Sequence, residues 1–132
     1  MSEIKLTFPS NQKVNVSFKG FEIKTDQPLS AGGDGTAPSP FDYFLASLAS
    51  CAGFYAINFF RSRKLNTDGF DMKVDFDWDE KNHRLGFVNF IMTLPPDFPD
   101  KYIPALKNAV DLCTVKRTIL NPPEFKTLIN KN

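Results

Sequence analysis

Hydrophobic and polar residues alternate along the first part of the chain, which is the pattern of half-buried β-strands. Residues 3–8 alternate in this way, and residues 14–18 resume the alternation after a turn at residues 9–12. Residues 21–23 continue it. We predict an antiparallel meander of two or three strands.

A helical spacing replaces the alternation near residue 39. Large apolar residues then recur every three or four positions, as on the buried face of a helix. Ser39 suits the N-cap, Pro40 suits the first turn, and Asp42 lies three residues after the cap. We predict a helix over residues 40–62, about 33 Å long at ~1.5 Å per residue. The middle of this helix also has a row of small residues beside the large apolar ones. The helix therefore needs to be covered on most sides, and a partner subunit is one way to cover it. These small residues are Ala46, Ala49 and Gly53.

Two further strands are predicted in the second half of the chain. Residues 72–78 alternate apolar and polar side chains, and residues 85–92 return after a turn at residues 80–83. Gly86 is a candidate β-bulge. His83 lies at the tip of the turn, where we expect no catalytic role for it.

Helical segments are predicted after this hairpin, one starting near Asp100 and a shorter one starting near Cys113 and stopping before Asn121. The tail at residues 124–129 is weakly strand-like. Strands, a long helix, a hairpin and short helices in this order indicate an α+β fold. The length of 132 residues is that of a single domain, residues 1–132.

Composition and charge argue against several classes of function. A formal net charge of +1 argues against nucleic-acid binding, which needs clustered Lys and Arg. Residues 1–10 do not form a secretory signal, and we expect no apolar run of membrane-spanning length. We therefore expect a cytoplasmic protein with no membrane partner. With one histidine, His83, and no suitable ligand spacing for zinc, we expect no metal site, and we expect no cofactor. The glycine-rich loop at residues 26–40 lacks the phosphate-binding P-loop spacing and is interpreted as a connector.

The two cysteines are the main candidates for chemistry. Cys51 falls in the middle of the long helix, and Cys113 falls at the start of a short one. A thiol in each of two helical segments suggests a redox pair, although a buried cysteine that packs as a small hydrophobe is the alternative for Cys51. Cys113 is better placed for activation, because unpaired N–H groups, Lys116 and Arg117 are expected near its sulfur. A solvated helix face explains these two cations equally well.

The arrangement of these motifs resembles the OsmC and organic hydroperoxide resistance (Ohr) family. The resemblance rests on two motifs. In the first, Ala37–Pro40 leads into a helix that has Leu48–Cys51 about three turns from its start, and the second is Cys113–Arg117 downstream. It implies an OsmC-like fold, in which antiparallel sheets wrap around a long central cysteine-bearing helix in an intertwined homodimer.

The same resemblance implies a thiol-dependent peroxidase acting on organic hydroperoxides. Cys51 would attack the peroxide and become a sulfenic acid, and Cys113 would close a Cys51–Cys113 disulfide. A dithiol reductant such as a lipoyl protein would restore the thiols.

The chain departs from the peroxidase members at two positions. Those members have an arginine in the N-terminal strands and a glutamate ten residues before the first cysteine. Residues 1–60 contain no arginine, and Phe41 occupies the glutamate position. Asp42, one residue further on, is either a catalytic acid or a partner in the helix cap with Ser39. The lysines that remain available are Lys13, Lys19 and Lys24.

Three functions therefore stay open. The first is the peroxidase. The second is an OsmC-like thiol redox or sensor protein without efficient turnover. The third is a non-enzymatic dimer that binds a small apolar ligand among the abundant aromatic side chains, although core packing is the commoner reason for such residues. The aromatic residues in question are Phe41, Phe44, Tyr55, Phe59 and Phe60.

Overall fold

The computed structural model describes residues 2–132 and has an α+β fold with antiparallel sheets and one long helix. The chain divides into two compact units, residues 1–47 and 48–132. The predicted single domain covering the whole chain stays a prediction. The elements are β1 (Lys5–Thr7), β2 (Val14–Phe18), β3 (Phe21–Thr25), α1 (Pro40–Ser62), β4 (Asp71–Asp79), β5 (Arg84–Thr93), α2 (Ile103–Asp111) and α3 (Thr114–Leu120).

The N-terminal unit contains a three-stranded antiparallel sheet in the order β1–β2–β3, which confirms the predicted meander. Leu6 pairs with Val16, and Val16 pairs with Ile23. Side chains at directly paired positions share a face of the sheet, so one face is apolar. Much of that face is open within this unit, since Leu6 is 53% exposed and Phe21 is 71% exposed.

A buried carboxylate organises the glycine-rich loop that follows β3. Asp26 is fully buried and accepts hydrogen bonds from the backbone N–H groups of Gln27 (2.8 Å), Asp34 (3.4 Å) and Thr36 (3.0 Å). The Thr36 hydroxyl donates a fourth bond of 2.7 Å. The Lys13 ammonium lies 4.0 Å from the Asp26 carboxylate and forms a close ion pair with Asp34. The inward-pointing N–H groups of this loop are therefore used by the chain's own carboxylate.

Helix α1 begins and ends where the sequence predicted. Ser39 and Asp42 form a reciprocal cap, in which the Ser39 N–H donates to the Asp42 carboxylate (2.9 Å) and the Asp42 N–H donates to the Ser39 hydroxyl (3.1 Å). The Tyr43 hydroxyl donates to the Lys24 carbonyl (2.7 Å), which ties the first turn of the helix to β3. After the last turn, Lys64 takes a left-handed conformation (φ 53°) that stops the helix.

The length and apolar character of α1 correct one expectation. With a mean hydropathy of 1.4 over its most apolar window, this helix is long and apolar enough to cross a membrane, although we expected no such segment. The core helix of a water-soluble protein passes the same test, so this is weak evidence for a membrane span. Ala52, Ala56 and Phe60 of this helix are fully buried within the C-terminal unit.

The C-terminal unit combines the β4–β5 hairpin with the second half of α1, α2 and α3. Asp77 pairs with Phe87 and Trp78 pairs with Leu85, so Gly86 is the extra residue of a β-bulge, as predicted. The core is centred on the Phe60 ring, whose centroid lies 4.6 Å from that of Phe70 and 5.2 Å from that of Phe98. The buried core residues are Ala52, Ala56, Phe59, Phe60, Phe98, Leu106 and Val110.

The predicted strand at residues 124–129 is wrong. The structure has no strand there, and residues 121–132 are exposed along their whole length. Phe125, Leu128 and Ile129 are each at least 85% exposed. A strand needs a partner for its backbone groups, and none of the described strands pairs with this tail.

Candidate redox site

The two cysteines, both free thiols, come together in the C-terminal unit although they are remote in sequence. Cys51 lies in the middle of α1 and is half-buried, whereas Cys113 is fully buried at the N-cap of α3. The side chains of Cys51 and Cys113 interact through a hydrogen bond, so the two sulfur atoms lie near each other. Folding therefore brings together two thiols that are 62 positions apart in the sequence.

The turn between α2 and α3 explains how Cys113 reaches this position. Helix α2 closes with bonds from the N–H of Leu112 to the Asn108 carbonyl (3.1 Å) and from the N–H of Cys113 to the Val110 carbonyl (3.3 Å). Cys113 itself is extended (φ −60°, ψ 145°), and its carbonyl accepts the first helical bond of α3, from the Arg117 N–H (3.0 Å). The chain thus reverses at Cys113 and turns its side chain into the protein interior.

The surroundings of Cys113 favour the protonated thiol. Burial raises the pKa of Cys113 above its usual value, and the hydrogen bond and charge of Cys51 raise it further. The Lys116 backbone N–H and ammonium act in the opposite direction, although the N–H contact falls short of a cap hydrogen bond. In the reduced protein Cys113 therefore keeps its proton, and its S–H group can donate a hydrogen bond to the Cys51 sulfur.

A hydrogen bond joins the two cysteine-bearing segments. The Tyr55 hydroxyl lies 3.0 Å from the Thr114 hydroxyl. Tyr55 is four residues after Cys51 and therefore on the same face of α1, and Thr114 directly follows Cys113. The bond consequently fixes α1 against the start of α3 beside the two thiols.

Lys116 is held beside Cys113 by two neighbours. Its Nζ atom lies 3.4 Å from the Asp111 carboxylate and 3.7 Å from the centroid of the Phe90 ring. The side chain is only 17% exposed. Burial opposes ionisation of Asp111, but Lys107 and Lys116 outweigh it and lower the pKa of this carboxyl. The cation next to Cys113 is therefore ordered and paired with a carboxylate.

The other predicted site residues have local roles in the structure. Arg117 contributes its backbone N–H to the Cys113 carbonyl, while its side chain is exposed. Asp42 belongs to the N-terminal unit, where its carboxylate caps α1 with Ser39. The cap is thus the role for which the structure supplies contacts. Lys13 is engaged with Asp34 and Asp26 in the same unit.

Sequence reasoning predicted Lys116 near the Cys113 sulfur but missed the contacts that hold Lys116 and Tyr55 in place. The Tyr55–Thr114 bond had a detectable signal, because Tyr55 follows Cys51 at helical spacing and Thr114 adjoins Cys113. The contact of Lys116 with Phe90 had none, since the two residues lie on elements far apart in sequence.

A shallow groove of about 370 Å³ runs between α1 and α2. The Arg63 guanidinium lies over the Phe59 ring at 3.6 Å and forms part of its wall. The groove reaches Leu112, next to Cys113 in the chain. Its lining residues are Tyr55, Asn58, Phe59, Ser62, Arg63, Ala105, Asn108, Ala109 and Leu112. Among the residues that the structure describes, no group of three or more His, Cys, Asp or Glu side chains could hold a metal ion.

Comparison with known proteins identifies the family. The family model for OsmC-like proteins matches residues 33–128, which is most of the chain, and the protein belongs to this family. Membership suggests a role in redox chemistry or hydroperoxide resistance. None of the curated proteins compared with the chain matches it.

Several solved structures share the fold. One is a protein from Psychrobacter arcticus named for osmotic stress induction and a detoxification response, with a TM-score of 0.72 and 25% identity over 89% of this chain and 88% of that one. An OsmC-like protein from Mycoplasma pneumoniae has a TM-score of 0.69 and 14% identity, covering 92% of this chain and 89% of the other. An organic hydroperoxide resistance protein OsmC from Legionella pneumophila has a TM-score of 0.57 and 16% identity, covering 90% and 88%.

Proposed function

We propose that this protein is a thiol-dependent peroxidase that reduces organic hydroperoxides through Cys51 and Cys113. The observation that carries the proposal is the hydrogen bond between the two thiols. Membership of the OsmC-like family supports it, because the match covers residues 33–128 and so includes both cysteines. The resemblance described above implies the peroxidatic role for Cys51 and the resolving role for Cys113.

The different exposure of the two sulfurs supports a division of roles. Cys51 is half-buried and can be reached by a small peroxide, whereas Cys113 is fully buried. The Cys51 thiolate attacks the hydroperoxide ROOH, the O–O bond breaks, and the products are the Cys51 sulfenic acid and the alcohol ROH, which takes up one proton. The Cys113 thiol then attacks the sulfenic sulfur, the disulfide forms, and water leaves. A dithiol reductant, for which a lipoyl protein is one candidate, returns two electrons and two protons.

The structure supplies no arginine from the N-terminal strands for this reaction. A cation from another chain is one substitute. We propose a homodimer, because large apolar side chains stay exposed in both units, and exposed apolar patches are typical of interfaces. Phe8 is 72% exposed and Phe76 is 51% exposed. Light scattering coupled to size exclusion tests the dimer, and a monomeric mass at micromolar concentration would contradict it.

We also propose that the protein is cytoplasmic, because the reducing environment of the cytoplasm regenerates thiols.

The test of the peroxidase is hydroperoxide consumption by the purified protein with dithiothreitol. The wild type should turn over cumene hydroperoxide, and Cys51→Ser should abolish consumption. In a separate assay without dithiothreitol, Cys113→Ser should consume one equivalent and stop, leaving a Cys51 sulfenic acid that mass spectrometry detects. Equal rates for wild type and Cys51→Ser would rule out the proposal.

A thiol redox sensor is the second candidate. The raised pKa of Cys113 and the missing N-terminal arginine favour it, because both slow thiolate chemistry. A sensor would form the Cys51–Cys113 disulfide with one equivalent of hydroperoxide but would not turn over efficiently with dithiothreitol.

A further inference from the structure

The reductive half of the cycle places a charge inside the protein. In the disulfide form, an incoming thiolate must attack one of two sulfurs, and the other sulfur leaves as a thiolate. Cys113 is fully buried and Cys51 is half-buried. Access therefore favours attack on Cys51, and this attack leaves the negative charge on the buried Cys113 sulfur.

A buried thiolate needs stabilisation in place of the lost solvent. Lys116 lies in the first turn of α3, three residues after Cys113 at the N-cap. Its ammonium acts on the Cys113 sulfur, as does the Cys51 side chain from α1. Once Cys51 is held in a mixed disulfide it carries no charge, so Lys116 is the remaining charged group. The exposed Arg117 side chain is not among the groups that act on this sulfur.

Lys116 is held in place for such a role. The Asp111 carboxylate at 3.4 Å and the Phe90 ring at 3.7 Å flank the ammonium, and most of its side chain is covered. An ordered cation loses little conformational entropy when charge develops beside it. Asp111 also pairs with Lys107 at 3.2 Å, so its negative charge is shared between two lysines.

We propose that Lys116, fixed by Asp111 and Phe90, is a positioning residue that stabilises Cys113 as the leaving thiolate and thereby directs an incoming thiol to Cys51. The inference deepens the proposed redox function and rests on its assumption that the two thiols cycle through a disulfide. In the first step the reductant thiolate bonds to the Cys51 sulfur, the S–S bond breaks, and Cys113 takes the electron pair. In the second step the second sulfur of the dithiol, as a thiolate, attacks the first sulfur of the same dithiol, which is bonded to Cys51. The bond to Cys51 breaks, Cys51 leaves as a thiolate, and the dithiol is left oxidised.

The test compares Lys116→Met with Lys107→Met in the full-length protein. Lys107 also contacts Asp111 but does not act on Cys113, so its variant is the matched control. The first measurement is the titration of Cys113 in a Cys51→Ser background, followed by thiolate absorbance at about 240 nm. Because an opposite charge favours the ionised form, Lys116→Met should shift the midpoint to higher pH, Lys107→Met should leave it unchanged, and Lys116→Arg should restore it.

The second measurement is the rate at which dithiothreitol reduces the oxidised protein. Since a thiol of lower pKa leaves faster, we expect Lys116→Met to slow reduction by about threefold or more and Lys116→Arg to recover most of the rate. An unchanged midpoint and rate in Lys116→Met would overturn the proposal, and so would equal effects of Lys116→Met and Lys107→Met. Lys116→Gln serves the same purpose if the methionine variant does not fold. Neither measurement uses a peroxide, so a protein without peroxidase turnover still tests the role of Lys116.

Discussion

The packing around Gly33 gives the prediction with the clearest steric basis. Gly33 is buried in the loop that precedes α1, and it lacks the positive φ seen at Gly35. A methyl group at Gly33 would overlap the carbonyl group of Gln27 and lie 2.7 Å from the Gln27 Cα. These atoms belong to the backbone, so the loop itself must move to accommodate alanine.

The expected loss combines strain and broken hydrogen bonds. The displaced segment includes the bonds from Gly33 N–H to the Pro28 carbonyl (3.0 Å) and from Gly35 N–H to the Gln27 carbonyl (3.1 Å). Overpacking costs about 1–3 kcal/mol, and each lost bond costs about 1 kcal/mol. Gly33→Ala should therefore lower the free energy of unfolding by about 3–5 kcal/mol.

Urea unfolding followed by circular dichroism measures this change, and Gly35→Ala is the control in the same loop. A methyl group at Gly35 meets no atom within 4 Å, but the φ of 66° disfavours a side chain. Its cost should be only about 1–2 kcal/mol. The reasoning is refuted if Gly33→Ala is no more destabilising than Gly35→Ala.

Three further predictions concern the thiol site, the buried carboxylate and the core. Tyr55→Phe should slow closure of the disulfide by about two- to tenfold, which corresponds to one hydrogen bond of about 0.5–1.5 kcal/mol. Thr114→Val should slow closure by the same factor, and the double variant Tyr55→Phe/Thr114→Val should be no slower than either single variant. If stopped-flow measurements of oxidation show additive effects, the two hydroxyls act separately. Hydrogen bonds from the Thr36 hydroxyl and backbone hold the pKa of Asp26 well below its usual value, while burial opposes them. This stabilisation is present above the unfolded pKa and is lost as the pH falls towards the folded one. The melting temperature of wild type should therefore exceed that of Asp26→Asn most at neutral pH, and the gap should shrink below about pH 4; a gap independent of pH would contradict this. Phe60→Ala should cost about 3–5 kcal/mol in urea unfolding because the ring is fully buried, and a loss below about 2 kcal/mol would mean that the core collapses around the gap.

The sequence was most informative where a local rule determines the structure. The bounds of α1 were predicted from the Ser39–Asp42 cap and from the helical spacing of apolar residues, and both signals come from residues close together in sequence. The bulge at Gly86 followed from the absence of a side chain. Such features need no knowledge of how distant segments pack.

The parts that sequence reasoning missed depend on contacts between distant segments. The tail at residues 124–129 has strand-like residues but no pairing strand, and β-propensity does not reveal whether a partner exists. The burial of Asp26 was equally hidden, because an aspartate in a glycine-rich loop usually faces water. The sequence paired the two cysteines and put Lys116 near Cys113, whereas the contacts that hold Lys116 and the Tyr55–Thr114 bond are visible only in the fold.

The backbone N–H groups that bind the Asp26 carboxylate have a consequence for engineering. These donors converge on a carboxylate that is attached to the chain, so the loop already contains its own anion. Shortening that side chain in Asp26→Ala would leave a vacant receptor of carboxylate size with the donors still aligned. Added formate would then be expected to restore part of the lost stability, and the connector would become a small-anion binding module.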